Sequence, residues 1–144
     1  MTRSRPVLTV TDSIAAEARE VIRRGLHDYN VAQSGVDDRR ELAVLVRDAQ
    51  TRQTLGGLLG RTSLGMLLID VFFLPEHLRG NGLGSRVLGL AEEEARRRGC
   101  TTAVLTTLSF QAPGFYARHG YETFGQVEAQ PGGASRIFMR KALR

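Results

Sequence analysis

The feature that most constrains the fold is a strand, a glycine-rich turn, a helix and a second strand in direct succession within residues 64–108. Residues 64–74 are almost continuously apolar and residues 101–108 are rich in Thr, Val and Leu, patterns typical of buried strands. Residues 82–98 between them have the apolar spacing of an amphipathic helix. Two strands joined through a helix run parallel, so this unit predicts a sheet with at least one parallel pair.

The turn before that helix, Arg79-Gly80-Asn81-Gly82-Leu83-Gly84-Ser85, has the composition of an anion-binding site. Glycine has no Cβ, so backbone N–H groups can approach a ligand closely. The first N–H groups of the helix are unpaired at the positive end of its dipole, and Arg79 adds a full charge. The turn matches neither a Walker A loop nor a dinucleotide fingerprint, whose third glycine would be Ser85 or Val87. A helix start without a ligand is the alternative that the turn alone leaves open.

The other segments predict strands and helices on both sides of this unit. A strand at 7–10 and a helix from 14 to about 27 come first, and residues 28–40 are polar and predict a surface loop. The further predicted elements are strands at 42–47, 54–62, 121–128 and 135–141, a short helix at 113–119 and a hairpin loop at 129–134.

Composition excludes several classes of protein. The 144 residues are 42% hydrophobic and 24% charged, which suits one domain with a real core. The net charge is +5, but the arginines alternate with acids and aromatics are few, so a solvated surface is favoured over nucleic-acid binding. The single cysteine, Cys100, excludes an intrachain disulfide, fits a reducing compartment and suggests a buried structural thiol. Without a long apolar stretch or a leader, the chain is predicted to be cytoplasmic, with no membrane contact.

Two segments make the chain resemble the GNAT family of N-acetyltransferases over nearly its whole length. The first is the apolar strand end at residues 73–78 followed by Arg79-x-x-Gly82-x-Gly84, which is similar to the family's acyl-CoA loop. The second, residues 109–122, is similar to the family's N-x-x-A-x-x-x-Y…G-[FY] segment, with Ser109 in place of the frequent asparagine and Tyr116 in place of the tyrosine. One helix and one strand separate the two segments, as the family pattern requires.

The resemblance implies a single N-acetyltransferase domain over residues 1–144, of mixed α/β (α+β) class. Its central sheet is expected to be mostly antiparallel, with six to seven strands and a parallel pair splayed at the acyl-CoA site, and about four helices lie on its faces. The implied function is acetyl-CoA dependent transfer of an acetyl group, by direct attack, to a primary amine of a small molecule or of a peptide or protein. A non-catalytic acyl-CoA binding or regulatory domain on the same fold is the alternative.

The expected partners are acetyl-CoA as co-substrate, an amine acceptor and a second copy of the chain in a homodimer. No nucleic acid is expected, and no metal either, since the histidines and Cys100 are not at metal-ligand spacing. In the family the backbone of the strand end pairs with pantetheine like an added strand, and the turn holds the diphosphate. The implied acyl-CoA-binding residues are Val71, Phe73, Arg79, Gly80, Asn81, Gly82, Leu83, Gly84, Ser85, Ser109, Gln111 and Tyr116. Ser109 offers a hydroxyl, and Gln111 an amide, where the family asparagine contacts pantetheine.

Two residues are candidates for catalysis. Tyr116 matches the family tyrosine, and a phenol with a pKa near 10 can protonate a departing thiolate; an amphipathic core tyrosine is the alternative. Asp70 interrupts an apolar strand, where a charge is costly unless it is paired or faces a cleft. It is either the general base or a salt-bridged structural residue, and strand alternation places it on the face opposite Val71 and Phe73.

The acceptor is expected to contact residues 28–40 and 129–134, the loops that the family places around it. Asp37 and Asp38 in the first loop could attract a cationic amine, although loop acids are usually just solvated. His77 and His119 are interpreted as structural or solvated, because one lies in a turn and the other at a helix end. The sequence does not identify the amine.

Overall fold

The computed structural model describes residues 4–128 and 133–144, in two compact units whose boundary in the sequence lies between Asp37 and Asp38. In the first unit, residues 4–15 form neither helix nor strand, so the predicted strand at 7–10 is wrong. Val7, Leu8 and Val10 are 87–102% exposed. Their pattern suits a strand, but a strand forms only against a neighbouring strand, and none of the described strands pairs with them.

The first helix, α1, spans Ala16–Ser34 and is longer than the sequence predicts. It continues through Gly25 and takes up half of the predicted surface loop. A glycine in the interior of a helix costs about 1 kcal/mol relative to alanine. The other residues of this 19-residue helix favour helix strongly enough to outweigh that cost. The helix ends at Gly35, whose φ of 73° is left-handed and whose N–H donates to the Val31 carbonyl. No residue of α1 is buried.

The second unit is a six-stranded sheet in the order β1-β2-β3-β4-β6-β5. Its strands are β1 (Arg40–Arg47), β2 (Thr54–Ser63), β3 (Met66–Phe73), β4 (Thr102–Leu108), β5 (Glu122–Glu128) and β6 (Ser135–Ala142). A 3-10 helix (Glu76–Leu78), α2 (Leu83–Arg97) and α3 (Pro113–Arg118) connect them. β3 and β4 are parallel and every other pair is antiparallel. The predicted mixed α/β class, the mostly antiparallel sheet and its one parallel pair are therefore confirmed.

Helix α2 packs its apolar stripe on one face of the sheet. Val87, Leu88, Ala91 and Ala95 of the helix are buried, and so are the strand residues Leu42, Leu58, Leu67, Ala103 and Leu105. The apolar residues that alternate with these on the first three strands are only half covered: Leu45, Leu59, Val71 and Phe73 are 45–54% exposed. Within this unit, α2 therefore covers one face of the sheet, and no described element of the same unit covers the apolar residues on the other face of β1, β2 and β3.

Helix α2 also buries one carboxylate. Glu92 is 5% exposed, accepts a hydrogen bond from the Tyr121 hydroxyl at 2.8 Å and pairs with the Lys141 Nζ at 2.8 Å. Arg96 lies 4.0 Å from the same oxygen as Lys141. Burial and the neighbouring Glu92 raise the pKa of Tyr121 far above its ordinary value. This buried ion pair ties α2 to β6, because Lys141 is the last but one residue of that strand.

A β-bulge on β3 lies where the sheet opens. The register between β2 and β3 shifts so that Leu59 pairs with Val71 and Gly60 with Ile69, which leaves Asp70 as an extra residue. The predicted alternation across Asp70 is therefore wrong: Asp70 and Val71 are both about half exposed, while Ile69 is buried. The pairing of β3 with β4 ends at the same point, at Ile69 and Leu105.

Among residues 4–128 and 133–144, no helix is both long enough and apolar enough to cross a membrane.

Candidate active site

A cleft of about 860 Å³ lies where β3 and β4 stop pairing. β3 continues to Phe73 and β4 to Leu108, so each has an edge that none of the described strands pairs with on the cleft side. The lining comprises residues 70–74, five residues of the glycine turn and the start of α2, Thr106 and Thr107, residues 110–112, and Phe115, Tyr116 and Arg118. The volume is in the range of small-molecule sites, about 300–1,000 Å³.

The glycine turn forms one part of this lining. Gly80 and Gly82 both have φ of 86°, a left-handed conformation that other residues adopt at a cost of about 1–2 kcal/mol. A Cβ on either would meet no atom within 4 Å, so conformation, and not crowding, requires glycine there. Gly84 differs, because its Cβ would lie 3.3 Å from the Phe115 ring. Here glycine lets the first turn of α2 pack closely on α3.

The N-terminus of α2 has no side-chain cap. Gly82 occupies the cap position, and no acidic residue lies in the first turn. The Leu83 N–H donates a long hydrogen bond of 3.4 Å to Asn81 Oδ1. Arg79 is fixed beside the turn, since its Nε donates to the Leu74 carbonyl at 2.7 Å and its guanidinium lies 5.8 Å from the Phe73 ring centre. Unpaired N–H groups and a positioned cation suit a phosphate-bearing ligand.

Ser85 joins this group to a residue that the sequence interpretation set aside. His119 Nε2 lies 2.8 Å from Ser85 Oγ, and its Nδ1 lies 2.8 Å from the Phe115 carbonyl. A carbonyl only accepts, so Nδ1 carries the proton, and in the neutral ring Nε2 accepts from the Ser85 hydroxyl. His119 thus orients a hydroxyl of the cleft. No sequence signal links two residues 34 positions apart.

The Tyr116 side chain is buried among aromatic rings. Phe115, Tyr121 and Phe72 lie 5.3–6.4 Å from its ring centre in edge-on contact, and the residue is 8% exposed. Burial raises the pKa of Tyr116, so its phenol stays protonated at neutral pH. No described residue hydrogen-bonds its hydroxyl, although the residue lines the cleft. A protonated phenol at a cleft wall is suited to give up a proton to a bound ligand.

Asp70 lines the same cleft and is paired. Arg61 Nη1 lies 2.8 and 2.9 Å from its two carboxylate oxygens, and both side chains are at least one third exposed. Asp70 is therefore salt-bridged, as one of the two alternatives predicts, and it also lines the cleft; its role as a general base stays a prediction. An exposed pair of this kind contributes less than about 1 kcal/mol to stability.

Two predicted pantetheine contacts have other partners in the structure. Ser109 is outside the cleft lining, and its Oγ accepts from the Ser135 N–H at 2.9 Å, where β6 begins. Gln111 is in the lining, but its Oε1 accepts from the Leu108 N–H at 2.8 Å and from the Thr107 hydroxyl at 3.1 Å. Gln111 thereby caps the end of β4 with its side-chain oxygen.

Of the segments expected at the acceptor, residues 28–34 are helical and residues 129–132 lie outside the described part of the chain. Asp37 pairs with His27 at 3.0 Å, and Asp38 accepts from Ser63 and from the Leu64 N–H. Among the described residues, no three His, Cys, Asp or Glu side chains are grouped as metal ligands would be.

Fold and cleft together define the GNAT class of α/β proteins: a mostly antiparallel sheet opens at its one parallel pair, and an uncapped helix N-terminus and a tyrosine line the opening. The chain belongs to this family, since the model of the acetyltransferase (GNAT) family matches residues 18–121.

Individual relatives agree with this assignment. Acetyltransferase Atu2258 of Agrobacterium fabrum is 37% identical over 132 residues, which cover 92% of this chain and 96% of the relative. Blasticidin-S acetyltransferase of Streptomyces morookaense is 38% identical over 89 residues, 61% of this chain and 65% of the relative. The crystal structure of an Agrobacterium tumefaciens protein proposed to be an acetyltransferase is 35% identical, with a TM-score of 0.88 over 95% of this chain and 99% of that one.

Proposed function

We propose that the chain is an N-acetyltransferase, which transfers the acetyl group of acetyl-CoA by direct attack to a primary amine of a small molecule or of a peptide or protein. The observation that carries the proposal is the composition of one cleft. The open strand edge at Val71–Phe73, the uncapped start of α2 and the hydroxyl-bearing ring of Tyr116 all line it. Each suits a different part of acetyl-CoA, which has a diphosphate, an arm with two amides and a thioester.

The proposed binding of acetyl-CoA, the acetyl donor, depends mainly on the glycine turn. The free N–H groups of α2 and Arg79 bind the diphosphate, with two open glycine positions that leave room for it. The backbone of Val71 and Phe73 pairs with the amide-bearing arm as an added strand would. Ser85 adds a hydroxyl that His119 orients. Ser109 is the weakest of the proposed donor contacts, because its hydroxyl already accepts a hydrogen bond from Ser135.

The reaction removes two protons from the ammonium group of the acceptor and supplies one to the departing sulfur. An alkylamine has a pKa near 10.4, so fewer than about one molecule in a thousand is neutral at pH 7. In the proposal Asp70, or a water held by it, accepts the ammonium proton, and the neutral nitrogen attacks the thioester carbonyl. The C–N bond forms, the attacking nitrogen gives its second proton to solvent, and the C–S bond breaks. Tyr116 gives its phenolic proton to the departing sulfur and later regains one from solvent.

The acceptor is the open part of the proposal. The relative named for blasticidin-S favours a small molecule over a protein as the acceptor. The Arg61–Asp70 pair at the cleft offers a carboxylate to a cationic amine. We further propose that residues 1–144 act as one domain and as a homodimer. We also propose a cytoplasmic location, with which a single buried cysteine, Cys100, is compatible.

A thermal-shift series tests the donor site first. Acetyl-CoA at 100 times its Kd stabilises the folded state by about 2.7 kcal/mol, a rise in Tm of about 5–10 °C in a chain of this size. Release of free CoA with a panel of small amines and peptides then measures transfer. No shift with acetyl-CoA would contradict the donor site itself. A clear shift without turnover on any amine would favour the second candidate, a non-catalytic acyl-CoA binding domain.

A further inference from the structure

The hydrogen bonds of His119 fix which atom donates and which accepts. The Phe115 carbonyl lies 2.8 Å from Nδ1 and can only accept, so Nδ1 carries a proton. In the neutral ring Nε2 then has a lone pair and no proton, and the Ser85 hydroxyl at 2.8 Å donates to it. The hydroxyl proton of Ser85 is thereby used, and its oxygen presents lone pairs to any further neighbour.

Ser85 lines the cleft where the diphosphate is proposed to bind. It lies in the first turn of α2, one residue before Arg86, whose N–H donates to the Gly82 carbonyl at 3.1 Å and closes that turn. Gly82 and Gly84 line the cleft beside it. The oxygens of an ionised diphosphate accept hydrogen bonds and do not donate them. The neutral His119 ring therefore holds the Ser85 hydroxyl in an orientation that opposes this ligand.

We propose that binding of the diphosphate protonates His119, so that acetyl-CoA enters the cleft together with one proton taken from solvent. Both ring nitrogens of an imidazolium donate. The Nδ1–H group keeps its bond to the Phe115 carbonyl and the Nε2–H group donates to Ser85, whose hydroxyl then donates to a phosphate oxygen. Each group from Phe115 to the phosphate has a partner in this arrangement. The role of His119 rests on the proposed function, because acetyl-CoA supplies the diphosphate.

The neutral forms of the ring place two acceptors in contact. If the Ser85 hydroxyl turns to the phosphate, the Nε2 lone pair faces the serine oxygen at 2.8 Å. If the ring proton moves from Nδ1 to Nε2, the Nδ1 lone pair faces the Phe115 carbonyl. The His119 ring is half-buried and lies 4.5 Å from the centre of the Phe115 ring, and this packing holds its orientation. A polar group left without its partner costs more than a hydrogen bond contributes.

The charges around His119 explain why the proton arrives with the ligand. Both ring nitrogens contact uncharged oxygens, a carbonyl and a hydroxyl. The charged and titratable side chains on the elements around the ring are mostly cations: Arg118 on α3, Arg79 in the glycine turn, Arg86 on α2, and Lys141 on β6 with its partners Glu92 and Tyr121. A Cβ on Gly120, the next residue, would lie 3.9 Å from the Lys141 Nζ. This positive surplus disfavours an imidazolium in the free protein, and the negative charge of a diphosphate reverses that preference.

Proton uptake determines how pH acts on the reaction. Imidazole is the side chain that changes its charge between about pH 5 and 8. Where one proton is taken up, the Kd for acetyl-CoA rises about tenfold for each pH unit. The acceptor amine has the opposite dependence, because more of it is neutral at high pH. His119 lies behind Ser85 and acts on the ligand through it, so it is a positioning residue: the KM for acetyl-CoA should rise with pH while kcat does not fall.

Isothermal titration calorimetry counts the proton directly and needs no turnover. Acetyl-CoA is titrated at about pH 7.5, within the range where imidazole titrates, in HEPES and in Tris, whose ionisation enthalpies differ. The difference in binding heat gives the number of protons taken up. The acetyl ester of dephospho-CoA is titrated in parallel, because it keeps the diphosphate and lacks the 3′-phosphate, whose second proton titrates near pH 6. The parent chain should take up about 0.5–1 proton with either ligand.

Three variants separate the roles of the residues. Glutamine in His119→Gln has an amide N–H that donates to Ser85 without titrating, so the variant should bind acetyl-CoA with no proton uptake and with a Kd that does not vary with pH. Ser85→Ala should raise the Kd about 10-fold or more and lower the proton count. His77→Gln is the matched control, since His77 is an exposed histidine just before the same turn, and it should keep the proton count of the parent.

Each failure has its own signature. An equal proton count in the parent and in His119→Gln, or no uptake in the parent, overturns the role of His119. A merely structural role would lower the Tm of His119→Gln and leave its proton count at the parent value. Neither binding heat nor a thermal shift with acetyl-CoA would contradict the donor site and the role of His119 together, whereas binding without proton uptake contradicts the role of His119 alone.

Discussion

Removing the positive charge opposite Glu92 gives the most direct test of how the sheet is held to α2. Lys141→Met keeps the length of the side chain but leaves a carboxylate that is 5% exposed without its cation. Breaking a fully buried pair costs about 3–5 kcal/mol. The Lys141 side chain is 21% exposed, and Arg96 at 4.0 Å remains to share the charge, so the expected loss is about 2–3 kcal/mol.

Urea denaturation followed by circular dichroism measures this loss. The midpoint should fall with an unchanged m-value, and Tm should fall by about 5–10 °C. Arg140→Met is the matched control on the same strand, because its pair with Glu122 is exposed on both sides and should contribute less than about 1 kcal/mol. Adding Glu92→Gln to Lys141→Met removes the unpaired charge and should recover part of the loss. Equal losses from Lys141→Met and Arg140→Met, or no recovery in the double variant, would refute the reasoning.

Three further predictions concern the cleft and its surroundings. Tyr116→Phe should lower kcat about 100-fold with nearly unchanged affinity for acetyl-CoA by calorimetry, and equal rates for the two proteins would remove the tyrosine from the chemistry. Gly82→Ala should lower the free energy of unfolding by about 1–2 kcal/mol and weaken acetyl-CoA binding, because the φ of Gly82 is 86°. Gly89→Ala, at an exposed position in the middle of α2, should raise the free energy of unfolding by about 0.4–1 kcal/mol. Changes of the same sign in both variants would contradict the conformational argument. The free energy of unfolding should be level to about pH 9 and fall above about pH 10. Burial raises the pKa of Tyr121 in the folded state, so the unfolded chain loses the phenolic proton at a lower pH than the folded chain does. Tyr121→Phe should reduce this loss of stability at high pH.

The parts of the fold that sequence predicts well are those with a local cause. The helix predicted at 82–98 is observed at Leu83–Arg97. Both signals for it, the 3.6-residue period of its apolar residues and a glycine near each end, lie within one short stretch of sequence. The parallel pair follows from the helix that joins its strands. The glycine turn is likewise local, and two of its glycines, Gly80 and Gly82, take the left-handed conformation that glycine permits.

The parts that sequence misses depend on a distant partner or on its absence. Residues 7–10 alternate as a strand does, but no described strand pairs with them. The link from Ser85 to His119 joins α2 to the end of α3, which no spacing reveals. Gln111 and Ser109 keep the polar atoms that a pantetheine contact needs, yet the backbone ends of β4 and β6 take up their oxygens. Function assigned to a side chain from its type alone overlooks this competition.

The extra residue at Asp70 has a consequence for the comparison of sequences. Without Asp70, side chains would alternate between the two faces of the sheet without interruption from Ile69 to Phe73. β3 could then keep its register with β4 beyond Leu105. The opening between β3 and β4 begins at this extra residue, so we expect it to depend on the number of residues in the strand as well as on their identity. In an alignment of relatives, a one-residue gap at this position marks a chain whose sheet can close, even where every glycine of the turn is retained.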